Sequence, residues 1–160
     1  MITAHFHSSQ HGPDGNRQAG EFISRLIWGR PDMFGPHCTV AVAEDGNLVG
    51  GVVYHNMDED AGVIELSGAS VSRRWATAAV LKMVYDVAFG LLGCQMVIQR
   101  VKADNTVHLT QLRRLGMTEN VIVRGAGRDL DLHVFTMTDD DWATHPLNRR
   151  ALDRKRQSDV

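Results

Sequence analysis

Two cysteines in 160 residues, Cys38 and Cys94, are too few for a disulfide framework, so a reducing, cytoplasmic setting is the expectation. No apolar run approaches the roughly 20 residues that a bilayer-spanning helix needs, and no membrane partner is expected. Charge of one sign is also scarce. Lys and Arg number 17 against 19 Asp and Glu, a net charge of −2. With no stripe of interleaved basic and aromatic residues, nucleic acid is not an expected partner. Met1–Gln10 is polar and rich in His, unlike a secretory signal. No segment repeats, and no linker divides the chain. What is present is globular in composition, with 43% hydrophobic and 22% charged residues. Residues 1–147 read as a single domain, with residues 1–20 as a mobile lead-in. Residues 148–160 read as a basic tail carrying Arg149, Arg150, Arg154, Lys155 and Arg156.

Hydrophobic periodicity supplies the elements. Phe22, Ile23, Leu26 and Ile27 fit a short helix from Glu21 that closes at Gly29. Cys38–Ala43 and Leu48–Tyr54 read as strands joined by the turn Glu44-Asp45-Gly46-Asn47. His55 to Gly62 reads as an acidic loop, and Val63–Val71 as a third strand. The period then changes. Ala79, Val80, Met83, Val84, Val87, Ala88 and Leu91 form the stripe of a core-facing helix over Trp75–Leu92. A strand at Gln95–Ala103, a helix at Val107–Leu115 stopped by Gly116, and strands near Thr118–Arg124 and Leu130–Thr138 complete the order. Strand, long helix, strand implies a right-handed parallel crossover, and the flanking hairpins imply antiparallel arms. The expected class is α/β: a mixed, mostly antiparallel sheet with one central parallel crossover and flanking helices. His5, His7 and His11 have no neighbouring Cys and sit among Gly, Pro and Asn, so no metal site is expected there.

Several local runs add to this order. Asn105 opens the second long-sequence helix, and Gly116 follows eleven residues later, within Asp104-Asn105-Thr106-Val107-His108-Leu109 to Leu115-Gly116-Met117. Ala88-Phe89-Gly90-Leu91-Leu92-Gly93 ends the helix before it. Gly127-Arg128-Asp129 and Met137-Thr138-Asp139-Asp140-Asp141-Trp142 close the pattern. Together they resemble the GNAT superfamily of N-acetyltransferases over about Val40 to Trp142. The closing Met-Thr and Trp resemble the branch that holds the ribosomal-protein N-terminal acetyltransferases. The resemblance implies acetyl-CoA as co-substrate, a primary amine as acceptor and no metal. It leaves a homodimer open.

One stretch departs from the family. Trp75-Ala76-Thr77-Ala78-Ala79 matches the start of the long helix, but Ser72 and Arg74 stand where the pyrophosphate loop has glycines. Such a loop binds phosphate through backbone N–H groups at a helix N-terminus, aided by the helix dipole. Arg73 and Arg74 are candidates to compensate, because guanidinium pairs well with phosphate. The cofactor-binding expectation therefore covers Ala69, Val71, Ser72, Arg73, Arg74, Trp75, Ala76, Thr77 and Asn105. In the family the Asn at the position of Asn105 holds the pantetheine arm; a helix cap is its structural alternative.

The chemistry implied is direct attack of an amine on a thioester. A backbone N–H within Ser67 to Val71 would stabilise the carbonyl oxygen. Where many family members have a catalytic Tyr, this chain has Leu112, which carries no proton. His108 is the candidate to protonate the leaving thiolate, or else a surface residue. Glu65 and Ser67 share one face of the third strand, with Glu65 as candidate base. Asp58, Glu59 and Asp60 are candidates to line a site for a cationic amine, or form a solvated loop. An α-amine titrates near 8 and a Lys amine near 10.4, so a site without a strong base suits a weakly basic amine. The alternative function is a non-catalytic module of the same fold that binds CoA or a partner protein. A nucleic-acid role for the tail is the weakest reading.

Overall fold

The computed structural model describes residues 1–149 and 157–158; most of the basic tail lies outside the described residues. The chain builds one sheet of seven strands in the order β1-β2-β3-β4-β5-β7-β6. These are β1 (Ile2–His7), β2 (His37–Glu44), β3 (Asn47–Asp58), β4 (Val63–Ser70), β5 (Met96–Lys102), β6 (Thr118–Gly127) and β7 (Leu130–Thr138). Every neighbouring pair is antiparallel except β4 and β5. The helices are α1 (Pro13–Trp28), α2 (Ala78–Asp86), α3 (Thr106–Arg114) and α4 (Asp139–Ala143).

Local chemistry explains most boundaries. At the β2–β3 hairpin Asp45 and Gly46 take φ of 51° and 84°, the pair of positive values a tight turn of matching twist requires. Gly29 closes α1 in the left-handed region, its N–H donating to Arg25 O at 2.9 Å. Thr138 and Asp141 cap α4 reciprocally, so the Met-Thr-Asp-Asp-Asp-Trp run is a strand end, a capping box and a docking residue. That residue, Trp142, packs 5.2 Å from the Tyr85 ring and donates to Asp86 at 3.1 Å.

Two layers cover the sheet. The main core lies on the face of α2, α3 and α4 and joins Val52, Tyr54 and Leu66 to Val80, Val84, Tyr85, Leu109, Leu112 and Trp142. A smaller cluster of Ile23, Phe34 and Val53 lies under α1 on the other face.

Three features differ from the periodicity. First, residues 1–20 are not a mobile lead-in: Ile2–His7 pairs along β2 from Ile2↔Glu44 to His7↔Thr39, and α1 starts at Pro13. Second, β3 runs past Tyr54 to Asp58, so His55 belongs to the sheet. Third, the Trp75–Leu92 stripe is not one α-helix. The Thr77 hydroxyl accepts from Val80 N and fixes the start at Ala78, leaving Trp75 and Ala76 outside the helix, where Thr77 N donates back to Trp75 O at 3.0 Å; after Asp86 the backbone widens into a π-helical turn, Val87–Leu91.

Candidate active site

The parallel pair is short. Val63↔Met96, Ile64↔Val97 and Glu65↔Ile98 are its only partners, yet β4 continues to Ser70 and β5 to Lys102. The strands therefore splay beyond Glu65 and open a wedge in the middle of the sheet. Both connections out of the wedge lead into helix N-termini, α2 after β4 and α3 after β5. A crevice at the carboxyl ends of two diverging parallel strands is a favoured ligand position. The wedge joins two grooves on opposite faces. One, of about 870 Å³, runs from the start of α2, at Trp75, Ala76, Ala78 and Leu81, along α3 to its C-terminal end. The other, of about 1370 Å³, lies beside the C-terminal end of α1 and is lined by His55, Glu65, Ser67 and Asn105. Leu66, Gly68, Trp75, His108 and Gln111 border both.

The wedge exposes a defined set of donors. Val71 N donates to Val49 O at 2.9 Å, so the odd-numbered N–H groups of β4 face β3. By alternation the N–H groups of Leu66, Gly68 and Ser70 face the gap. The N–H groups of Ala69 and Val71 face β3, while both residues line the larger groove. At the start of α2, the N–H groups of Trp75, Ala76, Ala78 and Ala79 find no hydrogen-bond partner among the described residues, and neither does that of Arg73. Those of Ala78 and Ala79 are the orphan donors of a helix N-terminus, carrying the positive end of its dipole; those of Arg73, Trp75 and Ala76 belong to the loop before the cap. They fit a phosphate ester.

The residues in place of the loop glycines have a structural task. Ser72 Oγ accepts from Arg74 N at 3.2 Å, and Ser70 Oγ accepts from Ser72 N at 3.0 Å. The Ser72 hydroxyl and the Arg74 guanidinium together hold the Glu44 carboxyl below its usual range. The loop is thus tied to the end of β2, and Arg74 is committed to Glu44. Of the two candidate compensating arginines only Arg73 has no ion pair among the described residues, and it lines the larger groove. The Thr77 hydroxyl is turned back onto its own helix.

Asn105 takes the cap position. Its Oδ1 accepts from His108 N at 3.4 Å and caps α3. Its side-chain N–H₂ makes no bond among the described residues and lines the larger groove. His108 is half-buried on the first turn of α3 at the border of both grooves, and burial lowers its pKa. Leu112, at the position where Tyr was a candidate, is buried in the main core.

The sheet also brings in a residue that the sequence did not single out. His55 faces Glu65 across β3 and β4, and His37 faces His55 across β2 and β3. His55 Nε2 lies 2.9 Å from Ser67 Oγ, and the Phe34 ring meets the imidazole edge-on at 4.9 Å. His55 is 7% exposed. Burial is the main cause that pushes its pKa down; His37 and Arg100 add to this and Glu65 opposes it. The Glu65 carboxylate accepts from Asn56 Nδ2 at 3.0 Å and lies 3.6 Å from Arg100 Nε. The groove floor is therefore a neutral imidazole holding a serine hydroxyl beside a carboxylate. Asp58, Glu59 and Asp60 line neither groove; Asp58 Oδ1 accepts from Ala61 N at 3.0 Å and shapes the β3–β4 turn.

No protein-family model matches the chain, and no curated protein matches it. Solved structures do. A protein described as a probable acetyltransferase is 17% identical with a TM-score of 0.61, over 88% of this chain and 94% of that one. The dodecameric spermidine N-acetyltransferase from Vibrio cholerae is 13% identical with a TM-score of 0.69, over 89% of this chain and 96% of that one. At these identities the likeness is one of fold, and the fold is that of the GNAT N-acetyltransferases.

Proposed function

We propose, with the acetyltransferase fold as premise, that this chain moves an acetyl group from acetyl-CoA to a primary amine by direct attack. The observation that carries the proposal is the wedge between β4 and β5. It joins a groove fitted with orphan helix N–H groups to a groove floored by His55, Ser67 and Glu65. A polyanion and an amine can thus approach one point from opposite faces of the sheet.

Acetyl-CoA supplies an activated acyl group as a thioester. Trp75, Ala76, Ala78 and Ala79 offer N–H groups to the pyrophosphate, and the Asn105 amide, which lines the larger groove, is free to meet the pantetheine arm where it crosses the wedge. The N–H groups of Leu66, Gly68 and Ser70 face the gap, where charge develops on the carbonyl oxygen. On the other side, Ser67 Oγ and Glu65 receive the acceptor ammonium. The ammonium loses one proton, its freed lone pair attacks the carbonyl carbon, the C–S bond breaks, and the nitrogen sheds a second proton to solvent as the amide forms while the thiolate takes up one proton. His108 borders both grooves and is held toward its neutral form. It accepts the proton from the ammonium and returns it to the thiolate, the reverse order from a residue that starts as a cation.

The resemblance to the ribosomal-protein branch, and the absence of a strongly basic group on the groove floor, support an α-amine or a similarly weakly basic amine. One observation favours a second reading, a non-catalytic module that binds CoA or a partner protein. Two loop N–H groups, of Ser72 and Arg74, are already engaged by hydroxyls. Calorimetric titration with acetyl-CoA, with acetate as control, tests the donor site. Micromolar binding is expected. No heat up to millimolar concentration overturns the assignment of the helix start.

A further inference from the structure

The larger groove has an unusual wall. Twelve large hydrophobic side chains stand exposed among the described residues, and six of them line this groove: Leu26, Ile27, Trp28, Met33, Val71 and Val107. Four come from the last turn of α1 and the loop after it, on the side of Phe34 and His55. Trp28 is 42% exposed and Met33 43%, and Trp28 meets Phe34 edge-to-face at 5.0 Å. Single exposed apolar residues need no explanation, but half of the total gathered around one groove does.

The charges of the groove point the same way. Its carboxylates are Glu65 and Asp104, and its permanent cations are Arg73, Arg100 and Lys102. Glu65 is already bracketed by Arg100 and Asn56. His55 and His108 are held toward the neutral form. The lining carries one excess positive charge; of its two carboxylates, Glu65 lies beside Ser67 and Asp104 lies at the start of α3, away from the apolar wall of α1 and its following loop. A second or third cationic centre on the acceptor would meet the arginines or the apolar wall.

We infer that the acceptor is a monoamine bearing one large apolar or aromatic group, and that the last turn of α1 with its following loop is the specificity element. The amine sits over Ser67, and the apolar body lies against Trp28 and Met33. This inference rests on the transferase reading and narrows its substrate class. It sets the chain apart from the Vibrio cholerae enzyme, whose name specifies spermidine.

Thiol release from acetyl-CoA, measured with 2-phenylethylamine, ethylamine, spermidine and a tripeptide with N-terminal Phe, tests it. The expected result is a kcat/KM for phenylethylamine or the Phe tripeptide at least tenfold above that for spermidine, and the better of the two identifies a free amine or a peptide terminus as the source. Trp28→Ala, a change at an exposed helix end, should raise KM for phenylethylamine about tenfold and for ethylamine much less. Met33→Asn should act in the same direction if the wall, and not the fold, is responsible. A preference for spermidine, or a Trp28→Ala penalty equal for both monoamines, overturns the inference while leaving the transferase reading intact. Absence of turnover with every amine overturns both.

Discussion

Acidifying the protein from pH 7.5 to 5.5 should destabilise the fold by up to about 2.8 kcal/mol, and two histidines should account for it. An unfolded imidazole titrates near 6.5. In the folded chain His55 and His108 both titrate lower, chiefly because burial penalises the cation. Below pH 6.5 the unfolded chain therefore binds protons that the folded chain refuses. Stability is fully present above 6.5 and falls as the pH drops toward the folded values. Each group can remove at most about 1.4 kcal/mol per pH unit. The carboxylates with lowered pKa, Glu44, Asp45 and Glu119, begin to matter only below about 4.5, so they leave this window to the histidines. Urea midpoints at pH 7.5, 6.5 and 5.5 provide the measurement. The wild type should lose most of that stability between 6.5 and 5.5. His55→Gln should remove up to half of that loss, and the double variant with His108→Gln nearly all of it. An unchanged acid slope in the double variant would show that neither His55 nor His108 carries the loss.

Other perturbations separate structure from ligand binding. Asn105→Asp keeps an effective N-cap for α3 but lacks the free N–H₂, so the melting temperature should hold while acetyl-CoA affinity falls about tenfold; loss of stability with unchanged affinity would leave only the cap. Tyr85→Phe removes the acceptor that Gln99 Nε2 meets at 2.9 Å in the core, and should cost about 1–2 kcal/mol by chemical denaturation. Burial, with the neighbouring Cys94, pushes the Cys38 thiol up to about 11. From about pH 9 upward the unfolded thiol releases its proton first. Stability should then fall with rising pH, and Cys38→Ala should flatten that fall in the same denaturation series.

The central hairpin, the β4 boundaries, the stop at Gly116 and the crossover were legible because each rests on a local rule: Asp-Gly in the turn, alternation, and an apolar stripe. The start of α1 was not. Its buried face is Asn16, Ala19, Gly20, Ile23 and Ser24, a largely polar and small stripe that no hydrophobic count detects. It is buried through specific bonds. Asn16 Nδ2 donates to His37 O at 3.0 Å, Thr39 Oγ1 donates to Asn16 Oδ1 at 3.1 Å, and Gly20 leaves room for the His37 ring. β1 carried its signal in Ile2, Ala4 and Phe6, an alternation of only three residues beside an unpatterned lead. At the site, Asn105, Ser67, Glu65 and His108 were readable from spacing and resemblance. His55 was hidden because Asn56 and the acidic run after it resemble a loop. Extending β3 by the pairing of His55 with Glu65 was the signal that would have found it. The direction of the gap-facing N–H groups depends on strand register, which no single strand encodes.

Acyl transfer at the β4–β5 wedge, and not binding alone, is what the proposed function requires. Incubation of the protein with acetyl-CoA and 2-phenylethylamine, with free thiol and acetylated amine quantified together by mass spectrometry, tests it most directly. Thiol and amide are expected in equal amounts, well above the enzyme-free control, with a sharp loss in Ser67→Ala. Acetyl-CoA binding with no amide formed from any primary amine would contradict it and leave a CoA-binding module of the same fold.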